Sequence, residues 1–397
     1  MSGGLTGTAL AERWLAEHSG ELVAARRWLH AHPELGRQEH RTTEYLCEQL
    51  ADAGLKPRPL AGGTGAVCDV GTGDGPTVVL RADIDALPLP DEKDVPYRST
   101  VPGVCHACGH DVHTAVLLGT GLALAAAADE LPGRVRLLFQ HAEELMPGGA
   151  LDVVAEGLLD GVTSAFALHC DPALEVGRIG LRSGPITAAS DHIEVRLTGP
   201  GGHTSRPHNT VDLVHALATV ATGLPDALSR LVDPRAGLCL VWGHVSAGTA
   251  PNAIPREGLL HGTLRMLDKD AWHGAPDMVH RLVDNLVSPY GARAHVTYNR
   301  GVPPVVNDQS ATALMAAAVR AALGTGAAVP TTQSLGGEDF AWCLEQVPGA
   351  LGRLGVKAPG RATAYDLHQG HFDVDEDSLP AGVRVMTAVA VGALQAG

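Results

Sequence analysis

The stretch Cys105-His106-Ala107-Cys108-Gly109-His110-Asp111-Val112-His113 places thiol, imidazole and carboxylate side chains within nine residues. Six of the nine side chains are of types that bind metal ions. A glycine inside the stretch lets the backbone approach closely, and an apolar run over 112–128 follows directly. The pattern predicts a metal-binding loop that leads into a buried helix.

Other uses of the same side chains compete with a catalytic metal site. A structural zinc site would use Cys105 and Cys108 as a C-x2-C pair, but the sequence offers no second pair of the usual spacing. A Cys–His nucleophile pair usually draws its partners from distant parts of a sequence and needs an orienting carboxylate or amide. Histidines that only satisfy hydrogen bonds in a core would explain one of these residues but not the row. The stretch favours a metal site without identifying a reaction.

The whole chain narrows the class of protein. Its 397 residues exceed what one hydrophobic core usually supports, so two domains are expected. The 29 basic and 44 acidic residues give a net charge of −15 with no basic block, which argues against nucleic acid or an anionic membrane as partner. Seven scattered cysteines indicate a reducing compartment. The first twenty residues lack a signal-peptide core, and the run over 115–128 is too short to span a bilayer, so a cytoplasmic protein is predicted.

Acidic and imidazole side chains follow three predicted strands where each strand ends. The strands over 77–82, 134–139 and 163–168 lead into Asp83, into Glu143-Glu144 and into His169. Helices predicted over 112–128 and 149–157 separate them, which gives a β-α-β-α-β order and an α/β fold with a mostly parallel sheet flanked by helices. Ligands gather at the carboxyl ends of such strands, so these side chains are predicted to converge on the 108–110 loop.

The pattern changes after Pro185. We predict a strand over 191–197, a helix over 211–231, strands over 238–245 and 257–266, a helix over 270–287 and a strand near 294–298. This β-α-β-β-α-β order is that of a ferredoxin-like α+β domain. The sequence therefore predicts a catalytic domain of residues 1–187 and 299–397, into which a domain of residues 188–298 is inserted.

These residues suit hydrolysis assisted by two metal ions. Two neighbouring divalent ions need about five or six side-chain ligands, and the ions make a shared water acidic enough to act as a nucleophile. Cys108, His110, Glu144, His169 and a late histidine supply such a set. In the adjacent pair Glu143-Glu144, one carboxylate can bind a metal ion while the other takes the proton of the water and passes it to the leaving nitrogen. An isolated Glu-Glu pair is most often a solvated surface feature, so this interpretation depends on the other ligands.

Ten short motifs resemble, in the same order, those of the M20 metallopeptidase and amidohydrolase clan, and within it the aminoacylase, hippurate hydrolase and auxin-conjugate hydrolase branch. They are His32-Pro33-Glu34-Leu35, Arg81-Ala82-Asp83-Ile84-Asp85-Ala86-Leu87-Pro88, His106-Ala107-Cys108-Gly109-His110-Asp111, Gln140-His141-Ala142-Glu143-Glu144, Ala167-Leu168-His169, Gly202-His203, Ala250-Pro251-Asn252-Ala253-Ile254-Pro255, Gly262-Thr263-Leu264-Arg265, Gly337-Glu338-Asp339-Phe340 and His368. Each motif alone is weak, but the ordered series is specific.

The resemblance implies a centre with two divalent ions per subunit. Its ligands would be Cys108, His110, Glu144, His169 and His368. Cys108 would bridge the ions, Glu143 would be the general base, and Asp83 would orient a ligand or tune the base. Mixed sulfur, nitrogen and oxygen ligands favour zinc or manganese, with cobalt and nickel as further candidates.

The resemblance also implies that the inserted domain is a lid that dimerises, giving a homodimer or a dimer-based tetramer. His203 of this domain would donate a hydrogen bond to the developing oxyanion. Asn252 and Arg265 would bind the acyl oxygen or the substrate carboxylate, the arginine through its two-pronged guanidinium.

Three positions depart from the family pattern. His141 stands where proline is common, which is expected to loosen the loop and add a spare imidazole near the metals. The tail carries both His368 and His371, so two histidines compete for one ligand position, and the residues that follow favour His368. Gly337 stands where serine is common and is expected to affect packing only.

The sequence therefore predicts a metal-dependent amidohydrolase that cleaves N-acyl amino acids or related amide conjugates to a carboxylate and a free amine. Two alternatives stay open. One is a dipeptidase or aminopeptidase of the same clan, which would require a free α-amine on its substrate. The other is a non-catalytic relative that binds small amides and has no need of a base such as Glu143.

Overall fold

The computed structural model describes residues 6–71 and 74–396, so the chain ends at 1–5 and 397, which we assigned to the catalytic domain, lie outside the described residues. The α-helices are α1 (Gly7–Ala31), α2 (His40–Asp52), α3 (His110–Ala125), α4 (Ala150–Ala155), α5 (Leu213–Leu231), α6 (Lys269–Val287), α7 (Gln309–Leu323), α8 (Ala341–Leu344) and α9 (Ser378–Ala396). The strands are β1 (Arg58–Pro59), β2 (Ala66–Val70), β3 (Thr77–Asp83), β4 (Arg134–Gln140), β5 (Val162–Glu175), β6 (Ile179–Leu181), β7 (Gly184–Pro185), β8 (Ala189–Thr198), β9 (Gly202–His203), β10 (Cys239–Ala247), β11 (Ala253–Ile254), β12 (Glu257–Met266), β13 (Arg293–Val302), β14 (Val306–Asn307), β15 (Ala328–Pro330) and β16 (Gly349–Lys357).

The chain forms two compact units. The first consists of the described residues of Met1–Gly184, Val306–Thr332 and Asp339–Gly397, and the second of Pro185–Val305 and Gln333–Glu338. The boundaries predicted from sequence, at 187/188 and 298/299, differ from these by a few residues. Residues 333–338 are predicted to belong to the catalytic domain, but they form part of the second unit. Their backbone is bonded there, since Ser334 N donates to Ile186 O at 2.9 Å and Ala188 N donates to Gly336 O at 3.3 Å.

An eight-stranded sheet organises the first unit, in the order β1-β2-β4-β3-β5-β16-β6-β15. The four central strands β4, β3, β5 and β16 are parallel, whereas β2 and β6 run antiparallel to their neighbours β4 and β16. The predicted α/β fold with a mostly parallel sheet is confirmed. Because β3 and β4 are adjacent and parallel, Asp83 and the residues after Gln140 meet at one edge of the sheet. The predicted end of the third strand at 168 was wrong, since β5 runs on to Glu175, but the pairing of Arg81 with Ala167 still brings His169 level with Asp83.

Apolar helices cover this sheet. Helices α1, α3 and α9 pack against one another, and the close approach of α3 requires Gly119, where a Cβ would lie 3.0 Å from Leu22 Cδ1 and Val383 Cγ2. Among the described helices, α9 is long and apolar enough to cross a bilayer, but 67% of its most apolar window is buried inside the protein. This burial is typical of a core helix.

The second unit contains a four-stranded antiparallel sheet in the order β10-β12-β8-β13. Helices α5 and α6 connect its strands and pack against the sheet and each other. The inward side chains of β8 alternate along the strand, with Ile193, Val195 and Leu197 buried, so one face of the sheet forms the core. The β-α-β-β-α-β order and this strand order are those of the predicted ferredoxin-like domain.

Candidate metal centre

The loop before α3 turns sharply at Gly109, which precedes His110 at the first position of the helix. Gly109 has a φ of 87°, in the left-handed region that favours glycine. A Cβ at this position would also lie 2.7 Å from Cys170 Sγ on the neighbouring strand β5. Both the positive φ and the contact with Cys170 therefore require glycine here. The glycine lets Cys108 and His110 approach the end of the sheet.

Five groups of side chains in the described chain bring potential ligand atoms within 4.8 Å of one another, and three overlapping groups among them contain all of the predicted ligands. These three groups are Cys108, His110 and His169; Cys108, Glu144 and His368; and His110, Glu143 and Glu144. All five predicted ligands belong to these groups, with Glu143 beside them. Cys108 belongs to both of the first two groups. A ligand that bridges two metal ions would have to lie in such a shared position.

Two of the histidines direct their Nε2 atoms to this cluster. His110 Nδ1 donates to the Asp85 backbone oxygen at 2.9 Å, so Nε2 carries the lone pair. That Nε2 is buried and has no hydrogen-bond partner within the described ranges. His169 Nδ1 likewise donates to Cys170 O at 2.8 Å, and its Nε2 lies 3.6 Å from Cys108 Sγ. In both rings a backbone oxygen engages Nδ1, so Nε2 is the nitrogen left to bind a metal ion.

The electrostatics of the cluster favour a cation. Burial disfavours a charged His110, yet the negative groups of Asp83 and Cys108 raise its pKa well above the usual range. Hydrogen bonds to Cys108 and Glu144 raise the pKa of His368 to about 10. Burial lowers the pKa of His169 well below its usual range, which keeps that ring neutral. A divalent cation fits these residues, since it satisfies the orphaned lone pair of His110 and the surplus negative charge together.

Asp83 ends strand β3 and is held on both carboxylate oxygens. His113 Nδ1 donates to Oδ1 at 2.5 Å, and Arg81 Nη1 donates to Oδ2 at 2.6 Å. Although burial opposes ionisation, these neighbours and His110 keep the pKa of Asp83 well below its usual range. His113 also accepts a hydrogen bond from Cys170 N at 2.7 Å, so both of its ring nitrogens are engaged. His113 therefore orients Asp83 and is not free to serve as a ligand.

Glu143 and Glu144 follow strand β4 through a backbone reversal at Ala142. Ala142 has a φ of 55°, which breaks the extended course that would turn adjacent side chains apart. As a result, Glu143 Oε2 and Glu144 Oε1 each lie 3.9 Å from His110 Nε2. Both carboxylates can then act on the same small volume.

The two late histidines point to different partners. His368 Nε2 lies 3.2 Å from Glu144 Oε1, and the backbone of His368 adopts a φ of 61°. Its N–H donates to Ala107 O at 2.7 Å, which ties the segment to the loop before α3. His371 Nδ1 instead lies 2.9 Å from Glu92 Oε2. The structure thus brings His368 to the cluster and pairs His371 with an exposed carboxylate.

The expectation that His141 would loosen the loop and leave a spare imidazole was wrong. Its side chain is buried, with Nδ1 donating to Thr64 O at 2.9 Å and Nε2 lying 2.8 Å from Asp152 Oδ2. Both ring nitrogens are therefore engaged. His141 fastens the start of the loop.

Sequence reasoning assigned no role to two residues that support the cluster. Asp85 accepts from His110 Nδ1 through its backbone oxygen and from Glu144 N through Oδ2 at 3.0 Å. The sequence pattern that could have identified Asp85 is its position two residues after Asp83, because alternate residues of an extended strand lie on the same face. Arg26 on α1 is buried and donates to Asp111 at 2.7 Å and to Asp373 at 2.9 Å, so it joins the segments that carry His110 and His368. These partners lie 85 and 347 residues away in the sequence, and no local pattern connects them.

The remaining predicted residues lie in the second unit. Strands β9 and β11 pair His203 with Ala253, which brings His203 beside Asn252, and Thr204 N donates to Asn252 O at 3.3 Å. Both His203 and Asn252 are exposed. Arg265 on β12 donates to Leu335 O at 2.5 Å instead.

The chain is similar to members of one peptidase family and to several of its named relatives. The model of peptidase family M20/M25/M40 matches residues 79–391. The N-acyl-L-amino acid amidohydrolase of Geobacillus stearothermophilus is 40% identical over 297 residues, covering 75% of this chain and 80% of that protein. The crystal structure of the Bacillus subtilis YXEP protein, described as a dinuclear metal binding peptidase from the M20 family, aligns with a TM-score of 0.83 and 33% identity over 98% of this chain and 99% of that one.

A third relative is longer than this chain. The putative glutamate–cysteine ligase 2-3 of Rhodococcus jostii is 48% identical over 369 residues, which is 93% of this chain. The chain spans 46% of the length of that protein.

Gly109→Ala tests whether the tight loop supports metal binding. We expect the affinity for divalent metal to fall about 10- to 100-fold, because the added methyl group would push Cys108 and His110 away from β5. The measurement is metal bound per chain at equilibrium in buffered zinc or manganese.

Gly103→Ala is the matched control. Gly103 also has a positive φ, of 74°, but a Cβ there would meet nothing within 4 Å. Both variants carry a backbone strain of about 1 kcal/mol, and only Gly109→Ala adds the steric conflict. Equal loss of metal in the two variants would contradict the steric argument.

Proposed function

The chain belongs to peptidase family M20/M25/M40, and we propose that it is a metal-dependent amidohydrolase that cleaves N-acyl amino acids or related amide conjugates to a carboxylate and a free amine. One observation carries this proposal. A thiol, imidazoles and a carboxylate converge at the sheet edge, with a second carboxylate, that of Glu143, beside them.

The donor set supports a pair of divalent ions. Cys108, His110, Glu144, His169 and His368 would hold them, with Cys108 between the two. Sulfur, nitrogen and oxygen donors together suit zinc or manganese, while cobalt or nickel would fit the same geometry. Such ions lower the pKa of water and polarise the amide carbonyl.

Glu143 is the residue we assign as general base. Its carboxylate is buried and lies 3.9 Å from the nitrogen of His110 that faces the ligands, so a water held there is within its reach. Glu143 would accept the proton of that water and deliver it to the leaving nitrogen. Asp83, fixed by Arg81 and His113, would keep a negative charge next to His110 and so orient that ligand.

We assign substrate contacts to the second unit. The backbone N–H of Ser205 donates to His203 Nδ1 at 3.1 Å, so a neutral His203 carries its proton on Nε2. That tautomer suits a donor to the oxyanion that develops on the amide oxygen. Asn252 and Arg265 would bind the acyl oxygen or the substrate carboxylate, and the second unit would serve as the lid.

A reducing, cytoplasmic location is part of the proposal. The seven cysteines form no disulfide in the part of the chain that the structure describes, so the thiols do not build a disulfide framework. This usage supports a compartment that keeps thiols reduced.

The function is tested with metal-loaded protein on a panel of amides. We expect hydrolysis of acetyl, benzoyl, long-chain acyl or indole-acetyl amino acids, complete loss of activity after chelation, and recovery with zinc or manganese. The panel includes dipeptides. Cleavage confined to substrates with a free α-amine would favour a peptidase, and activity that survives complete metal removal would refute the mechanism.

Glu143→Gln tests the assigned base. The amide has the same shape but cannot accept a proton, so we expect kcat to fall about 10²- to 10⁴-fold with metal content unchanged. Glu48→Gln, an exposed position on α2, is the control and should match the parent protein. Near-parental turnover by Glu143→Gln would remove Glu143 from this role.

We also propose that the second unit forms a homodimer, which a dimer-based tetramer would contain as well. Strand β10 is an edge of its sheet and exposes Val241 and Val245 by 60% and 64%. An edge strand with exposed β-branched side chains is a template for pairing with another strand, and a second copy of β10 would satisfy it.

Val245→Lys should weaken this association, since lysine on an edge strand opposes pairing. The molar mass measured by light scattering is expected to shift towards the monomer. Val214→Lys, which changes an equally apolar, 48% exposed position on α5, is the control. A parent protein that is monomeric at all concentrations would refute the dimer.

A further inference from the structure

The turn that carries Glu143 and Glu144 is under backbone strain. Ala142 lies in the left-handed region, with a φ of 55°, and is completely buried. Residues other than glycine adopt this conformation only when their surroundings impose it. Gly149 N donates to Ala142 O at 3.0 Å, which fixes one side of the peptide.

Two buried carboxylates hold the amides on either side of Glu143. Ala142 N donates to Glu39 Oε1 at 2.8 Å, and Glu144 N donates to Asp85 Oδ2 at 3.0 Å. The backbone on both sides of Glu143 is therefore held by side chains from other parts of the chain, at Ala142 N by Glu39 and at Glu144 N by Asp85. Without Glu39, the N–H of Ala142 would be buried and unpaired.

Glu39 makes little use of its carboxylate elsewhere. It occupies the N-cap position of α2, but its side chain makes no capping hydrogen bond. The residue is completely buried, and within the described ranges its Oε2 has no hydrogen-bond partner. Burial of a carboxyl group beside Asp85 is unfavourable and raises the pKa of Glu39. A residue needed only to fill this space would be better apolar. The hydrogen bond from Ala142 N joins the Glu39 carboxylate to the turn and so points to its role.

We propose that Glu39 is a positioning residue, which holds the strained turn at Ala142 so that Glu143 faces the metal ligands. The inference rests on the proposed role of Glu143 as base. Glu39 acts through the backbone and does not touch the reacting atoms. A shift of about 1 Å in a catalytic group can cost about 10²-fold in rate. The hydrogen bond between Glu39 and Ala142 N therefore matters for turnover more than for substrate binding.

The test compares Glu39→Leu with Glu39→Gln. Leucine fills the space but offers no acceptor, so we expect kcat to fall about 10²-fold with KM changed less than about threefold. Glutamine keeps an acceptor oxygen for Ala142 N, and it should retain kcat within about fivefold of the parent. Metal content should be the same in all three proteins, because Glu144 N keeps its own bond to Asp85.

Hydrogen exchange provides a readout that does not depend on activity. In Glu39→Leu, peptides covering 141–149 should exchange faster than in the parent, while peptides from α7 should not change. If Glu39→Leu does not fold, Glu39→Asp replaces it, since the shorter carboxylate keeps the charge but falls short of Ala142 N.

Glu34→Leu is the matched control at the same helix. The Glu34 carboxylate accepts from Arg41 N at 3.1 Å and from Thr42 N at 2.8 Å, and so supports the start of α2 without contacting the turn. We expect it to lower stability, with kcat within about threefold of the parent. If Glu34→Leu and Glu39→Leu were equally damaging, Glu39 would merely support the helix.

Further results of the same experiments would contradict the proposed role of Glu39. Parental kcat and parental exchange in Glu39→Leu, or damage in Glu39→Gln as large as in Glu39→Leu, would overturn the proposal. If the parent protein hydrolyses no amide in the panel, the proposed function fails. The exchange measurement then still decides whether Glu39 holds the turn.

Discussion

The constraint on which the site depends is a buried nitrogen lone pair surrounded by negative side chains. Asp85 fixes the tautomer of His110, so that Nε2 faces Cys108, Glu143 and Glu144 without a hydrogen bond of its own in the described structure. Protein groups alone leave this arrangement unsatisfied. A divalent cation would resolve it, because it would accept the lone pair and neutralise the charge at once.

Two of the three non-glycine residues with positive φ in the described chain, Ala142 and His368, lie at the same place. Gly109, Ala142 and His368 all have positive φ values, and each belongs to a segment that carries a proposed ligand or the proposed base. Surrounding contacts enforce these conformations: strand β5 lies against Gly109, Glu39 holds the Ala142 amide, and Ala107 O accepts from the His368 amide. Strain of this kind persists where function requires an exact direction for a side chain.

Charged side chains that never reach the cluster also shape it. Arg26 links Asp111 and Asp373 across two distant segments, and Arg81 links Asp83 to Asp339. All four of these contacts are 2.9 Å or shorter, and both guanidinium groups are buried, where a charge is tolerated only with such partners. The loops that carry the ligands are therefore attached to the helices and the sheet by ion pairs as well as by packing.

The sequence by itself determined the elements and the chemistry. Alternation and helical periodicity located the strands that end at Asp83 and before Glu143, and the strand that carries His169, although that strand runs on to Glu175. Residue type identified the potential ligands, because both kinds of signal depend on local pattern. It missed β16, whose glycine-rich run Gly349–Lys357 lacks a strand-like alternation although it is almost wholly buried at the centre of the sheet. Only the tertiary structure placed His368 at the cluster and His371 beside Glu92, engaged His141 elsewhere, and gave Asp85, His113, Arg26 and Glu39 their supporting contacts. Those outcomes depend on which side chains meet across tens or hundreds of residues, and no local pattern in a single sequence records such distances.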